Sequence, residues 1–180
     1  MRPCWDEYFM TIVNAISQRS TCDRGKPGCV FVKDNRILTT GYASSPPGLP
    51  HCDEIGHKME AHMDIIIKEF KNDSNIVTGG SSEYGPVHQH CVRTIHAEQN
   101  AILQAAKVGI PLQDSICYVS MTPCRTCAMM LISVGVKRIV AGKFYQKSEE
   151  SIEMFKTANV VIEHLSEEQQ SYVKDQSCQK

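Results

Sequence analysis

The chain has 180 residues, 42% hydrophobic and 22% charged, which is enough apolar material for one domain-sized core and excludes disorder or coiled coil as its main character. Nineteen Lys and Arg against twenty Asp and Glu leave a formal charge of −1, too balanced for a protein that lives by gripping nucleic-acid backbone. No apolar run approaches the roughly 18 residues of a membrane span, and acids stand at the start where a signal peptide carries its apolar segment, so the expected location is the cytoplasm.

Residues 5–20 place Trp5, Phe9, Ile12, Val13 and Ile16 on one stripe, which predicts an amphipathic helix. Strands are expected over 30–32 and 36–42, joined by a turn at Lys33-Asp34-Asn35. The proline-rich stretch that follows is a shaped loop. Residues 60–71 read as a short amphipathic helix with Met63, Ile66, Ile67 and Phe70 on one face, and 71–85 as a polar Ser/Gly loop. The segment 58–87 therefore reads as an insertion. A helix over 94–108, with Ile95, Ile102 and Ala105 inward, ends at Gly109, and a buried strand follows over 116–121. A helix over 124–134 carries Met129, Met130, Leu131 and Ile132 as core and closes at Gly135. Strand 136–141, helix 148–157, strand 160–165 and a polar, frayed helical tail complete the chain. Such alternation predicts a single three-layer α/β domain over 1–180, its later strands parallel and its first pair antiparallel.

Nine cysteines cannot all pair within one chain, and in a reducing compartment the surplus reads as metal ligands and buried thiols. Two stretches carry the chemistry: His96-Ala97-Glu98 and Pro123-Cys124-Arg125-Thr126-Cys127. Cys124 and Cys127, three apart at a helix start, point their sulfurs the same way, where free N–H groups and the helix dipole favour thiolates. His96 supplies a third zinc ligand, and the fourth position stays open for water. Glu98 then takes the proton of that water and hands it to the ring nitrogen and the departing amine, as hydroxide adds at C4 of a cytosine-type ring. A redox Cys-x-x-C pair would leave His96 and Glu98 idle, and a structural zinc would leave Glu98 unexplained. The H-x-E…P-C-x-x-C arrangement is a known deaminase signature.

Several runs together resemble the deoxycytidylate (dCMP) deaminases, in the bacterial and phage branch that includes the late-competence operon deaminase. They are Arg19 to Cys22, Thr40-Gly41-Tyr42, the loop Ser45 to Glu54, the run His90 to Ile102 and Pro123 to Cys127, and the likeness spans about residues 5–165. The resemblance implies a cytidine-deaminase-like fold, a mixed five-stranded sheet with helices on both faces. It also implies hydrolysis of dCMP to dUMP and ammonia, and a homo-oligomer, often a hexamer. Regulation by dCTP and dTTP, with Mg2+ accompanying a nucleotide effector, belongs to the same expectation.

One departure bears on the substrate. The family usually reads Gly-Tyr-Asn-Gly, its asparagine helping to hold the sugar, whereas this chain has Gly41-Tyr42-Ala43-Ser44. Either Ser44 or Ser45 takes over, or the sugar end is bound differently. The alternatives are therefore a modified or different nucleotide, a base within nucleic acid, or a non-catalytic nucleotide-binding protein. Balanced charge argues against the nucleic acid, and Glu98 against the idle protein.

The resemblance also implies a structural zinc, which relatives often carry near this loop. Cys22, Cys52, His90 and Cys91 match recurring positions, His57 stands where relatives tend to have cysteine, and His88 is a weaker candidate; buried thiols and hydrogen-bonded histidines are the competing reading. Arg19, Arg24 and Lys26 could meet a 5′-phosphate or an effector, or be solvated surface. Tyr145 falls where relatives place a tyrosine beside the pocket. Cys29 and Cys117 read as buried small apolar residues, and Cys4 and Cys178 have no functional account.

Overall fold

The computed structural model describes residues 1–71, 77–145 and 148–168, the side chains of 62–89 apart. By internal packing the chain divides into two compact units, Met1–Gly56 with Arg93–Lys180, and His57–Val92.

The first unit holds a five-stranded sheet. Helix α1 (Trp5–Ser17) precedes strands β1 (Gly28–Lys33) and β2 (Arg36–Tyr42), which form an antiparallel hairpin. Asp34 and Asn35 make its turn with φ of 51° and 58°, the left-handed region that this short polar pair tolerates better than most side chains. Helix α2 (Cys52–Ile55) is one turn inside the proline-rich loop, which is otherwise irregular as its composition predicts. The two strands of the other unit are β3 (Met59–Lys71) and β4 (Val77–Cys91). Helix α3 (Ala97–Val108), β5 (Ile116–Met121), α4 (Arg125–Ser133), β6 (Arg138–Lys143), α5 (Glu149–Thr157) and β7 (Val161–His164) complete the order. The sheet runs β2-β1-β5-β6-β7, with β1 antiparallel to β5 and with β5, β6 and β7 parallel.

Alternation along the strands builds the two cores. Val30, Val32, Tyr118 and Val140 point to one face, where Phe9, Met10 and Val13 of α1 cover them. Cys29, Phe31, Cys117, Val119, Ile139 and Ala141 point to the other, against Ala97, Ala101 and Ala105 of α3, Ala128 and Leu131 of α4, and Phe155 of α5. Both faces are therefore dry, and the three-layer expectation holds. Small residues on α3 let that helix lie close to the sheet, and Gly41 makes the closest approach. A Cβ there would stand 2.1 Å from the Ala97 carbonyl oxygen and 2.5 Å from the Ala101 nitrogen. Gly41→Ala is expected to cost about 3 kcal/mol or more, since the clash is with helix backbone that cannot rotate away. Chemical denaturation checks this.

The sheet is also clamped to α1. Arg138 donates to Asp6 through Nη1 (2.9 Å) and Nη2 (2.7 Å), Tyr118 Oη donates to Asp6 Oδ1 (2.7 Å), and Arg138 Nε reaches Glu163 (2.7 Å). The Arg138 guanidinium, helped by the Tyr118 hydroxyl and opposed by burial, holds the Asp6 carboxyl below its ordinary range. A depressed carboxylate stabilises fully above its unfolded pKa near 4, and that stability is lost as pH falls through the lower folded value. Asp6→Asn is therefore expected to cost about 1.5–3 kcal/mol at pH 7. Its melting temperature should converge on the parent's as pH drops below about 4.

The second unit is a long antiparallel hairpin, β3 (Met59–Lys71) against β4 (Val77–Cys91). This corrects the helix expected over 60–71 and the loop expected over 71–85. Met63, Ile66, Ile67 and Phe70 fit a helical stripe, but the run Ile65-Ile66-Ile67 is β-branched and favours extended backbone. The Ser/Gly-rich segment is recruited by pairing with it.

Smaller corrections concern boundaries. The helix expected from Thr94 begins at Ala97, because Ile95 is still extended and bridges Ser44. Met129, expected in the core, is exposed while Leu131 is fully buried. The expected frayed tail lies outside the described residues from 169 on. Among the described residues no helix is long and apolar enough to cross a membrane.

Candidate metal centre and active site

Two helix N-termini of the first unit meet at the C-terminal side of β5. His96 is the N-cap of α3, with extended backbone and its N–H bonded to Gln99 Oε1 at 2.9 Å. Cys124 is the N-cap of α4, and Cys127 stands three residues on, inside the first turn. Both helix dipoles thus point positive ends at one spot. His96 Nδ1 lies 3.5 Å from Cys124 Sγ and 3.5 Å from Cys127 Sγ, and the three ligand atoms form one cluster. Zinc bonds of about 2.3 Å to sulfur and about 2.0 Å to nitrogen, at a tetrahedral angle, put N and S about 3.5 Å apart. The cradle has the size and the donors of a zinc site with three protein ligands.

The protonation states fit the same chemistry. The hydrogen bond to Cys124 raises His96 to about 9 against the opposing effect of burial. Cys124 is pulled down to about 4 by the Cys127 thiol, with His96 adding to the pull. Cys127 moves the other way, because it donates to Cys124 and is buried. Glu98, in the first turn of α3, is only 6% exposed, and burial pushes its carboxyl upward against the pull of the His96 charge. Its carboxyl also reaches the Cys127 thiol.

This arrangement is that of a known family. A family model for the cytidine and deoxycytidylate deaminase zinc-binding region matches residues 3–143. The chain belongs to the cytidine and deoxycytidylate deaminase family. ComE operon protein 2 of Bacillus subtilis is 32% identical over 91% of this chain and 72% of its own length. The deoxycytidylate deaminase of Mycobacterium phage D29 is 34% identical over 79% of this chain and 97% of its own. The chain spans less than half the length of the deoxycytidylate deaminases it matches in Saccharomyces cerevisiae and Schizosaccharomyces pombe. The dCMP deaminase of cyanophage S-TIM5, solved with dCMP and dUMP, has the same fold, with a TM-score of 0.65 at 23% identity over 92% of this chain and 99% of its own.

Around the centre, the 43–45 run approaches the His96 segment: the Ile95 N–H donates to the Ser44 carbonyl (3.0 Å). Asn100 Nδ2, one turn along α3, donates to the Tyr42 carbonyl (3.0 Å) and to Ser44 Oγ (3.1 Å). Ala43 is buried, and its backbone meets Pro27, Thr21 and Ser20. Lys26 and Arg19 are exposed on the loop before β1. Tyr145 is half-buried, and its N–H donates to Thr122 Oγ1 (3.4 Å), beside the turn that leads into Cys124.

Reading along the chain did not single out Asn100, Thr122 or His164. Thr122 is buried two residues before Cys124, its Oγ1 2.9 Å from His164 Nε2, and the His164 ring stacks on Phe144 with centroids 3.8 Å apart. These contacts tie the ligand-bearing turn to β6 and β7. Cys29 and Cys117 are fully buried with sulfurs 3.5 Å apart, as expected of packed thiols, and burial pushes the Cys29 thiol up. Cys4 is the exposed N-cap of α1, and Cys178 lies outside the described residues.

The residues expected from the resemblance to hold a second metal are divided between the two units. In the first, Cys22 and Cys52 are buried, and their strands of loop are tied by the Asp53 N–H to the Thr21 carbonyl (3.2 Å) and by Thr21 Oγ1 to His51 Nδ1 (3.2 Å). In the second, His57 and Cys91 stand at the open end of the hairpin, where Met59 pairs with Cys91 and the Val92 N–H donates to Lys58 (2.9 Å). His90 pairs with Glu60, and His88 with His62, further along the strands.

Proposed function

We propose that His96, Cys124 and Cys127 hold a catalytic zinc, and that Glu98 is the proton shuttle with which this enzyme converts dCMP and water to dUMP and ammonia. The observation that carries the reading is the equal 3.5 Å approach of His96 Nδ1 to two thiols, with a buried carboxyl two residues away. Bound zinc supplies the Lewis acidity that makes water a nucleophile near neutral pH. Glu98 accepts the proton of the attacking water and delivers it to N3 of the ring, so that C4 can become tetrahedral. Glu98 then carries the proton of the new C4 hydroxyl to the amine, the C4–N bond breaks, C4 becomes a carbonyl and ammonia leaves. Burial suits Glu98 to both roles, because a carboxyl shielded from water exchanges its proton with the substrate rather than with solvent. The likeness to the phage D29 deoxycytidylate deaminase supports the substrate.

A second, structural zinc near the proline-rich loop is part of the reading on the strength of the resemblance, with the buried Cys22 and Cys52 among its expected ligands. Lys26, Ala43, Ser44, Ser45 and Tyr145 line the nucleotide side, and the segment 58–87 is an insertion in a single deaminase domain. A cytoplasmic homo-oligomer, hexameric and answering to dCTP and dTTP with Mg2+, completes the reading on the strength of the resemblance.

The test is ammonia release by the zinc-loaded protein from dCMP, CMP, dCTP, 5-substituted dCMP, cytosine, adenine nucleosides, guanine and a short tRNA hairpin. dCMP should turn over ahead of the others. Turnover of another amine with dCMP inert would mean that Ala43 marks a changed substrate.

A further inference from the structure

We infer that His164 is a positioning residue for the reaction, holding through Thr122 the turn that delivers Cys124 to the metal centre. The inference rests on the deaminase reading and adds to it a support from β7, the edge strand of the sheet. The three ligands are not held alike. Cys127 lies within α4, where the fully buried Ala128 and Leu131 fix the helix in the core. Cys124 is an N-cap with extended backbone, and helical bonding holds it on one side only, its carbonyl accepting the Ala128 N–H (2.8 Å). Its other side is set by the chain that enters it, Thr122-Pro123.

That entering chain is stiff, and it is fastened at Thr122. The Pro123 ring locks its own φ and restricts the residue before it, so a shift of Thr122 passes on to Cys124. Thr122 is buried; its N–H donates to the Lys143 carbonyl (2.9 Å), and its Oγ1 lies 2.9 Å from His164 Nε2. The other contacts of Oγ1, with the Lys143 carbonyl and the Tyr145 N–H, are longer at 3.4 Å each. The imidazole is therefore the near side-chain partner of this hydroxyl.

His164 is itself held in place. It pairs with Ala141 in the β6–β7 register, the Leu165 N–H donates to the Ala141 carbonyl (3.0 Å), and its ring stacks on Phe144 with planes 9° apart. Just beyond, the Phe144 N–H donates to the Glu168 carbonyl (2.9 Å), and Lys143 Nζ pairs with the Glu168 carboxylate (2.9 Å). The end of β7 thus braces the segment that follows β6, and His164 carries that bracing to Thr122. Ring and nitrogen do separate things. The stack holds β7 to Phe144, and the Nε2 bond fixes the turn that bears the ligand.

The experiment compares His164→Phe, which keeps a ring to stack on Phe144 but offers Thr122 no hydrogen bond, with His164→Gln, whose amide offers one again. Zinc-loaded proteins are followed by zinc transfer to a competing chelator, by steady-state kinetics on dCMP and by melting temperature. The release phase missing from a Cys127→Ser protein marks the catalytic metal. His164→Phe should lower affinity for that zinc and kcat about tenfold each, with KM for dCMP changed less than about twofold. His164→Gln should recover most of both losses. Unchanged zinc affinity and kcat in the His164→Phe protein overturn the inference. Equal losses in the two variants, tracking a lowered melting temperature, overturn it as well, since His164 would then only stabilise the fold. A parent that holds its zinc yet leaves dCMP intact fails the deaminase reading instead, and the zinc-affinity comparison then decides the inference by itself.

Discussion

Glu98→Ala abolishes turnover of the zinc-loaded protein, lowering kcat on the order of 10^3-fold or more, while zinc content and fold are retained. The separation follows from where Glu98 stands. It is not among the three ligand atoms that cluster around His96, so its removal leaves the metal cradle intact. It is buried, and burial already pushes its carboxyl upward, so the folded state gains no stability from the charge that alanine removes. The carboxyl is needed only when a proton must leave water and reach first the ring and then the amine. Steady-state kinetics with metal analysis and a melting curve read all three quantities on one preparation. Loss of zinc together with activity would make Glu98 a part of the metal site.

Cys127→Ser removes the catalytic zinc, and activity disappears with it. A serine hydroxyl is a hard, weakly acidic donor where a thiolate is required, and no neighbouring group in the ligand cluster can take its place. Affinity should fall well beyond the roughly 10–100-fold that loss of an outer-shell partner costs. With the second zinc assigned as proposed, the parent carries two metals per chain and this variant one. Cys29→Ser is the control. Its sulfur is fully buried beside Cys117 and is no ligand, so that variant keeps both metals and loses stability alone. Metal analysis after gel filtration decides the matter. Full retention of zinc by the Cys127→Ser protein would remove the thiol from the centre.

Both effects concern residues that were legible along the chain, and the reason is local. His96 and Glu98 are two residues apart, Cys124 and Cys127 three, and each pair opens a helix, so the spacing alone aims the side chains. Strands with two buried faces, such as β1 and β5, were legible for a similar reason, since their apolar runs are short and bounded by turns. The β3–β4 hairpin was not. Its apolar residues satisfy a helical and a strand period at once, and its polar Ser/Gly arm becomes a strand only through pairing. The contacts supporting the site were equally hidden. Thr122 meets His164 across 42 residues of chain, and Asn100 meets Ser44 across 56, distances over which no sequence period carries information.

The central claim is that this chain hydrolyses an amine from deoxycytidylate, with water as the second substrate. Incubation of zinc-loaded protein with dCMP in 18O-labelled water, followed by mass spectrometry of the nucleotide, tests it most directly. The account predicts dUMP carrying a single heavy oxygen on the ring, formed in step with ammonia and absent after chelation of the metal. Unaltered dCMP in the zinc-replete sample, with the metal shown to be bound, would contradict it.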